Sequence, residues 1–183
     1  MPDKTTYIKF FGGVDEANVK AIMATVEQKL KEGVTRVVLL ISSPGGNVFA
    51  GITLYNFLKG IPAEVVTHNI GSTNSIAAAL FCAGDLRLSV PHAVFLIHGP
   101  RANFPQGASL ERDALGERLA GLRIDAENLA GIIAANTRRT EEQVMQDMLD
   151  RITLNPEQAL DYGLVHEIRE EIFPTGADLT SIP

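Results

Sequence analysis

The sequence is poor in the features that mark secreted, membrane-spanning and nucleic-acid-binding chains. Its one cysteine, Cys82, excludes an intrachain disulfide. No apolar run approaches the ~20 residues of a membrane span, and no basic-then-apolar segment resembles a secretory signal. Lysine and arginine number 16 against 22 aspartates and glutamates, without a basic cluster. We therefore expect a cytoplasmic protein with neither nucleic acid nor membrane as a partner.

The composition indicates one compact α/β domain. The chain has 183 residues, of which 45% are hydrophobic, enough for one sizeable core but not for two comfortable domains. Short apolar runs such as residues 37–41 alternate with helical patterns, which predicts βαβ units. Open α/β folds build their sites at the carboxyl ends of strands. Polar residues that follow strands are therefore the candidates for a site.

Ser75 is the most informative residue of the chain. It closes the stretch GSTNS (71–75) and precedes the small apolar run 76–80, which predicts a helix that starts at Ser75. Free backbone N–H groups and the helix dipole favour negative charge at such a position. A nucleophilic hydroxyl needs this setting, because the oxyanion that it creates must meet preorganised donors. The simpler alternative is that Ser75 only caps the helix.

A candidate base and a candidate acid follow downstream. His98 ends the apolar run 93–97, which predicts a buried strand. Asp150 ends the helical pattern 141–149, at a corner where a carboxylate can accept a proton from a histidine ring. Since triads are recognised by geometry and not by chain order, these residues predict nucleophilic catalysis. Asp147, one turn before Asp150, competes for the role of the acid.

Other interpretations of these residues stay open. His98 is otherwise a hydrogen-bonded histidine at a strand end, and Asp150 a solvated acid at a helix end. The alternative histidines are His68 in a strand-like run, His92 after a proline, and His166. An α/β-hydrolase is excluded, because its chain order is Ser, Asp, His and its Gly-x-Ser-x-Gly elbow is missing here.

A glycine pair follows the most apolar predicted strand. Residues 37–41 lead into SSPGGN (42–47), where Gly45 and Gly46 permit positive φ and a close approach of a ligand to the backbone. No Gly-Lys-Ser/Thr and no Gly-x-Gly-x-x-Gly is present, so a phosphate-binding loop is not predicted. A backbone N–H from Gly45 or Gly46, together with that of Ile76, would form an oxyanion hole.

Residues 109–137 predict a long helix with a narrow apolar stripe. The stripe residues recur at steps of four and three: Leu115, Leu119, Leu122, Ala126, Leu129 and Ile133. A helix of about 28 residues would be roughly 40 Å long, about as long as a domain of this size is wide. We expect part of it to project and to pair with another copy, which predicts a homo-oligomer. The alternative is that the helix folds back onto its own domain.

Together the motifs resemble the Clp protease proteolytic subunit (ClpP) family of the ClpP/crotonase superfamily. The matching segments are SPGG (43–46), GSTNS (71–75), IHGP (97–100), DR (150–151), PEQA (156–159) and YGLV (162–165). The resemblance implies an α/β fold of repeated ββα units with a projecting handle helix. It implies one domain over 1–183, with a head over about 1–107 and 138–183 and a handle over about 108–137.

The resemblance also implies roles for the site residues. Ser75 would be the nucleophile, His98 the general base and Asp150 its orienting acid. The N–H groups of Gly45 and Ile76 would form the oxyanion hole. The segments that bind an extended substrate in the family correspond here to Gly46, Asn47, Val48 and Arg101. The expected function is a serine endopeptidase that hydrolyses unfolded proteins or peptides inside a chamber of stacked rings, without cofactor or metal.

The resemblance implies an AAA+ unfoldase as a candidate partner. Family members coupled to an unfoldase carry an N-terminal segment that gates the pore, and here residues 1–6 precede the first predicted strand. Two other classes of function stay open. A crotonase-type acyl-CoA enzyme shares the strand architecture and the two-amide oxyanion hole without needing a Ser-His-Asp set. A catalytically idle subunit would bind partners in an assembly without cleaving them.

Overall fold

The fold is described by a computed structural model over residues 4–104, 106–107, 109 and 111–182. Within these residues the strands are β1 (Thr5–Phe11), β2 (Arg36–Ser43), β3 (Glu64–Asn74), β4 (Leu86–Ser89), β5 (Val94–Leu96), β6 (Thr153–Leu154), β7 (Glu167–Ile168) and β8 (Asp178–Ile182). The helices are α1 (Glu16–Lys31), α2 (Val48–Gly60), α3 (Ile76–Phe81), α4 (Arg112–Ala135), α5 (Glu141–Asp150) and α6 (Pro156–Tyr162).

The described strands form one mainly parallel sheet. Its order is β6-β5-β3-β2-β1-β8, and β4 pairs with both β3 and β7. Every pairing is parallel except that of β5 with β6. The α/β class predicted from the sequence is confirmed. Because β1, β2 and β3 run in the same direction, the loops that follow them meet at one edge of the sheet.

Helix starts follow from local capping by short polar side chains. The Asp15 carboxylate accepts a hydrogen bond of 2.8 Å from the N–H of Asn18 at the start of α1. Asn47, directly after the glycine pair, caps α2 by accepting 2.9 Å from the N–H of Ala50. The cap at Asn47 thereby fixes how the chain leaves the glycine pair and enters α2.

The strand residues alternate between two apolar clusters on opposite faces of the sheet. Leu39 and Ile41 point into the main core under the helices, where Phe81 and Phe95 pack edge to face at 5.2 Å between ring centroids. The smaller cluster on the other face consists of Val38, Leu40, Val66 and Leu88, with Tyr7 and Ile172 packed against it. This burial of both faces explains why β2 is apolar almost throughout.

Strand β3 is longer than the sequence predicts. The apolar pattern predicts a strand over 64–69, but the structure continues it to Asn74. After a shift of register opposite residues 41–43, the second half of β3 pairs with β5, with Asn74 beside Leu96. A polar stretch of this kind gains its strand geometry from pairing and not from its own propensity. Consequently Ser75 follows β3 without an intervening loop.

Helix α4 is packed on the domain along only part of its length. It has 24 residues and begins at Arg112, whereas the pattern predicts a helix over 109–137. Positions 108 and 110 of the predicted handle over about 108–137 lie outside the described residues. Leu129 and Ile133 are buried, but Leu115 and Leu119 are exposed. The N-terminal half therefore leaves an apolar face uncovered. None of the described helices is both long enough and apolar enough to cross a bilayer.

The C-terminal strand β8, which the sequence pattern does not predict, lies parallel to β1 at the sheet edge. The Asp178 carboxylate accepts hydrogen bonds of 2.9 Å from the hydroxyl of Thr6 and from the ammonium of Lys29. These bonds hold the pKa of Asp178 below its ordinary value and raise that of Lys29. The first and last described strands are thus joined by the ladder and by side chains.

Candidate active site

Ser75 occupies a strained turn between β3 and α3. Its φ of 60° and ψ of −129° lie in a region that a residue with a side chain rarely adopts. Its N–H donates a hydrogen bond of 2.8 Å to the carbonyl of Leu96, but its side chain makes no capping bond. The capping interpretation therefore does not account for this serine, whose hydroxyl is presented at the strand end.

The backbone of Gly45 lies directly against Ser75. A Cβ added at Gly45 would lie 2.8 Å from the Cβ of Ser75 and 2.7 Å from the carbonyl oxygen of Asn74. Gly45 also has a φ of 90°, in the left-handed region that favours glycine. At Gly46, an added Cβ would collide with the carbonyl of Val14. The glycine pair therefore brings bare backbone against the hydroxyl-bearing turn.

Two backbone N–H groups, which directly follow Ser75 and Gly45 in the chain, have no acceptor among the described residues. They belong to Ile76, in the first turn of α3, and to Gly46. The N–H of Gly45 instead donates to the hydroxyl of Ser43 at 3.2 Å. An isolated bridge between Val14 and Gly46 fixes the orientation of this loop. Donors of this kind can stabilise a developing oxyanion.

His98 follows β5, whose neighbour β3 ends beside Ser75. Its ring is buried, with Nδ1 2.7 Å from the carbonyl oxygen of Gly99. Because a carbonyl only accepts, Nδ1 must carry the proton in the neutral ring, which leaves the Nε2 lone pair free. Burial lowers the pKa of His98, and the charges of Arg101 and Arg151 lower it further. The neutral imidazole that a general base requires is thus favoured.

The carboxylate of Asp150 is not joined to His98. Asp150 ends α5, is exposed, and its Oδ1 accepts a hydrogen bond of 2.9 Å from the side chain of Gln146. The backbone nevertheless lies near, because the N–H of Ile97 donates to the carbonyl of Ile152 at 3.0 Å. The structure brings Ser75 and His98 to one edge and leaves Asp150 at its margin. The Gly99 carbonyl, and not the expected orienting acid Asp150, is the hydrogen-bond partner of the His98 ring.

The alternative histidines are held elsewhere. His68 is buried in the first half of β3, and Ser75 lies seven positions further along the chain, roughly 23 Å at the rise of an extended strand. The Nδ1 atom of His166 accepts 3.1 Å from the N–H of Arg87. His92 is exposed in the turn between β4 and β5. None of the three takes the position that His98 holds beside the end of β3.

The cysteine is not a competing nucleophile. Cys82 is fully buried just after α3, and burial raises the pKa of its thiol to about 12. A thiol with that pKa stays protonated near neutral pH, and the thiolate is the reactive form.

A groove of about 760 Å³ adjoins the glycine pair. Two of its walls are residues 46–49 and 101–104, which include the predicted substrate-binding residues Gly46, Asn47, Val48 and Arg101. The third wall is the N-terminal half of α4, lined by Ala114, Glu117, Arg118, Gly121, Leu122 and Asp125. The sequence pattern assigned α4 only to assembly. No local signal reveals this wall, because it arises from the packing of distant segments.

The site combines a serine on a strained turn between a strand and a helix, glycine backbone packed against that turn, and a buried histidine after the neighbouring strand. These are the parts that a serine hydrolase on an α/β fold would need. The family model described as Clp protease matches residues 4–171. The chain belongs to the Clp protease family.

Two relatives show the degree of similarity. The ATP-dependent Clp protease proteolytic subunit 3 of Rhodococcus jostii (strain RHA1) is 32% identical over 134 residues, which cover 72% of this chain and 64% of the relative. The ATP-dependent Clp protease proteolytic subunit of Deinococcus radiodurans is 30% identical over 135 residues, which cover 73% of this chain and 64% of the relative. The matched part of the chain thus spans 64% of the length of either relative.

Proposed function

We propose that this chain is the proteolytic subunit of a serine endopeptidase that cleaves peptides or unfolded proteins. The observation that carries the proposal is the hydroxyl of Ser75 on its strained turn, with the backbone of Gly45 packed against it. Membership of the Clp protease family supports the same activity. The named relatives support it as well, since both are called proteolytic subunits.

In the proposed reaction, Ser75 Oγ attacks the peptide carbonyl while Nε2 of His98 takes the hydroxyl proton. The carbonyl oxygen becomes an oxyanion that accepts hydrogen bonds from the N–H of Ile76 and from one glycine N–H. His98 then gives its proton to the leaving amine, and a water molecule activated by the same ring hydrolyses the acyl-enzyme. Each oxyanion donor contributes about 3 kcal/mol of barrier lowering.

Which glycine N–H can bind the oxyanion depends on whether the N–H of Gly45 stays bonded to the Ser43 hydroxyl. The N–H of Gly45 serves the oxyanion once it leaves the Ser43 hydroxyl, to which it donates at 3.2 Å. The N–H of Gly46 is without an acceptor among the described residues and needs no such change. The proposal therefore keeps Gly45 and Ile76 as the expected pair and adds Gly46 as the alternative donor.

Asp150 acts in this proposal by turning from Gln146 towards His98. Its carboxylate would replace the Gly99 carbonyl at Nδ1 and stabilise the imidazolium that forms during the reaction. An exposed carboxylate with one neighbouring amide loses little by this rotation. The active arrangement is proposed to form in the assembled protein.

Substrate binding is proposed for the groove beside the glycine pair. An extended peptide would lie against Gly46, Asn47 and Val48 on one side and pair its main chain with the segment at Arg101 on the other. Main-chain pairing of this kind accepts many sequences, because its hydrogen bonds do not involve substrate side chains.

Assembly, partner and location complete the proposal. The exposed leucines of α4, Leu115 and Leu119, support pairing between copies in a homo-oligomer of stacked rings. An AAA+ unfoldase is the proposed partner, in keeping with the relatives' description as ATP-dependent proteases. The proposed location is the cytoplasm.

The function is tested with Ser75→Ala and its matched control Ser109→Ala, which changes an exposed serine outside the site. Purified variants are compared in peptide hydrolysis and in labelling by a fluorophosphonate. We expect both signals to vanish in Ser75→Ala, with an unchanged circular dichroism spectrum and assembly mass, and to persist in Ser109→Ala. Peptide hydrolysis by Ser75→Ala would refute the nucleophile. Wild-type protein that neither cleaves nor reacts would favour the idle subunit or the acyl-CoA enzyme.

A further inference from the structure

Asp125 lies on the face of α4 that is turned towards its own domain. It precedes the buried Leu129 by four residues, so both side chains share one face of the helix. The Asp125 side chain is half-buried, and the residue lines the groove beside the glycine pair. Its carboxylate is therefore in the wall of the groove, at the point where α4 leaves the core.

No cation among the described residues pairs with this carboxylate. Among the residues that the structure describes, no donor lies within hydrogen-bonding distance of Asp125 and no ion pair includes it. Burial raises the pKa of its carboxyl group, because a half-buried carboxylate is less well solvated than an exposed one. The groove thus contains a partly desolvated acid whose charged form gains stability when a cation arrives.

The other charged residues that line the groove are more exposed than Asp125. Arg101, Glu117 and Arg118 are all exposed, so solvent screens them. Arg118 precedes Asp125 by seven residues, a separation of roughly 10 Å along the helix axis. The two side chains therefore serve different parts of the groove.

There is space beside Asp125 for a long side chain. Gly121 lies one turn before it in the same wall, and no described atom outside the helix lies within 4 Å of where a Cβ would be. A flexible aliphatic stem can lie over this glycine while its charged end reaches the carboxylate.

We propose that Asp125 is a specificity-determining residue, whose carboxylate binds the cationic end of a lysine or arginine side chain in the peptide held by the groove. The inference rests on the proposed peptidase function and adds to it a preference that main-chain pairing does not supply. Its chemistry is a charge-assisted hydrogen bond in a partly desolvated site.

The test uses fluorescent peptides of neutral sequence in which one lysine is moved through successive positions, each paired with a norleucine peptide of nearly the same shape. Binding is measured on the assembled Ser75→Ala protein, and kcat/KM on protein with Ser75 intact. At one position we expect lysine to be favoured over norleucine by about tenfold, the scale of one charge-assisted hydrogen bond. Asp125→Asn should bring that ratio close to one.

The matched control is Asp113→Asn, the same substitution on the same helix at an exposed residue that does not line the groove. It should keep the lysine preference. Asp125→Lys should reverse the charge preference, so that glutamate exceeds glutamine at that position.

The remaining outcomes of the test would each overturn or support the inference. Equal binding and equal kcat/KM for the lysine and norleucine peptides in the unmodified protein would overturn the inference. A lysine preference that survives in Asp125→Asn would overturn it as well. A changed assembly mass in Asp125→Asn with an unchanged lysine ratio would overturn it too, and would assign Asp125 to contact between copies. A lysine preference in binding without any Ser75-dependent cleavage would support the inference and refute the proposed peptidase.

Discussion

The hydroxyl of Tyr162 donates a hydrogen bond of 2.8 Å to Oδ2 of Asp147. Tyr162 is buried, and its ring lies 4.7 Å from the guanidinium of Arg139. Asp147 is therefore fixed to the body of the domain, while Asp150 is exposed and, among the described residues, its side chain is bonded only to Gln146. Of the two acids near the end of α5, Asp150 is the one free to turn towards His98.

The two acids are separated by matched substitutions. Asp150→Asn should lower kcat/KM by about a thousandfold or more, because an amide cannot stabilise the imidazolium. Asp147→Asn should leave catalysis nearly intact, since its amide oxygen still accepts from Tyr162. Both are measured by peptide hydrolysis on protein of verified assembly mass. The opposite pattern would transfer the orienting role to Asp147.

The pH dependence of the reaction should follow the neutral form of His98. Activity requires the unprotonated ring, so kcat/KM should rise with pH through the pKa of His98. Burial lowers that pKa while the Gly99 carbonyl accepts from Nδ1, so the midpoint should lie below the ordinary value of 6.5 in protein with this arrangement. A carboxylate at Nδ1 raises the pKa, so the turning of Asp150 towards the ring would move the midpoint upwards. Arg101→Gln removes a nearby positive charge and should move the midpoint upwards. A flat profile between about pH 4 and 8 would contradict His98 as the base.

Gly45→Ala should strongly lower activity. The new Cβ would meet Ser75 and the Asn74 carbonyl at distances under 3 Å, and alanine is strained at a φ of 90°. We expect a fall in kcat/KM of about a hundredfold or more, in line with the loss of an oxyanion donor. Gly60→Ala, at the end of α2 with nothing within 4 Å, is the control. Full activity in Gly45→Ala would show that this close approach is unnecessary.

The exposed face of α4 should control assembly. Leu119 is 66% exposed on a helix whose C-terminal part alone enters the core. Leu119→Asp should reduce the mass measured by light scattering towards the 19.7 kDa of one chain, because a charge opposes burial of this face between copies. Asn56→Asp adds a charge to the exposed side of α2 and should leave the mass unchanged. A monomeric wild-type protein would rule out the homo-oligomer.

Arg87 should be a major source of stability. Its buried guanidinium donates hydrogen bonds to the carbonyls of Gly84, Asn136, Gly163 and Leu164. Arg87→Leu leaves these acceptors without a donor and should lower the free energy of unfolding by about 3 kcal/mol. Arg36→Leu, which removes an exposed ion pair with Glu64, should cost about 1 kcal/mol or less. Urea denaturation measures both, and equal losses would contradict the role of Arg87.

The features that the sequence predicts well are those set by neighbouring residues. The helix start at Asp15 follows from a local cap, and strand β2 from its apolar run. The positions of Ser75, Gly45 and His98 after strands follow from the same patterns, because strand ends in a parallel sheet meet at one edge.

The features that the sequence does not predict depend on distant partners. The second half of β3 is polar and becomes a strand only because β5 lies beside it. The direction of the Asp150 side chain is set by Gln146 and not by a pattern that distinguishes it from Asp147. In the sequence, Asp125 is one of several charged residues on a predicted helix. Only the packing of α4 places it in the groove.

The parallel pairing of β1 with β8 determines how the domain responds to mechanical force. The ladder joins residues 6–10 to residues 178–182 in the same direction. Thr5 and Ile182 lie at opposite ends of this parallel pair, so tension applied to them pulls the two strands in opposite directions along their length. The force then acts on all the hydrogen bonds of the ladder at once and does not break them one by one. A protein pulled from these two points therefore resists in shear, because the hydrogen bonds of the ladder must break together.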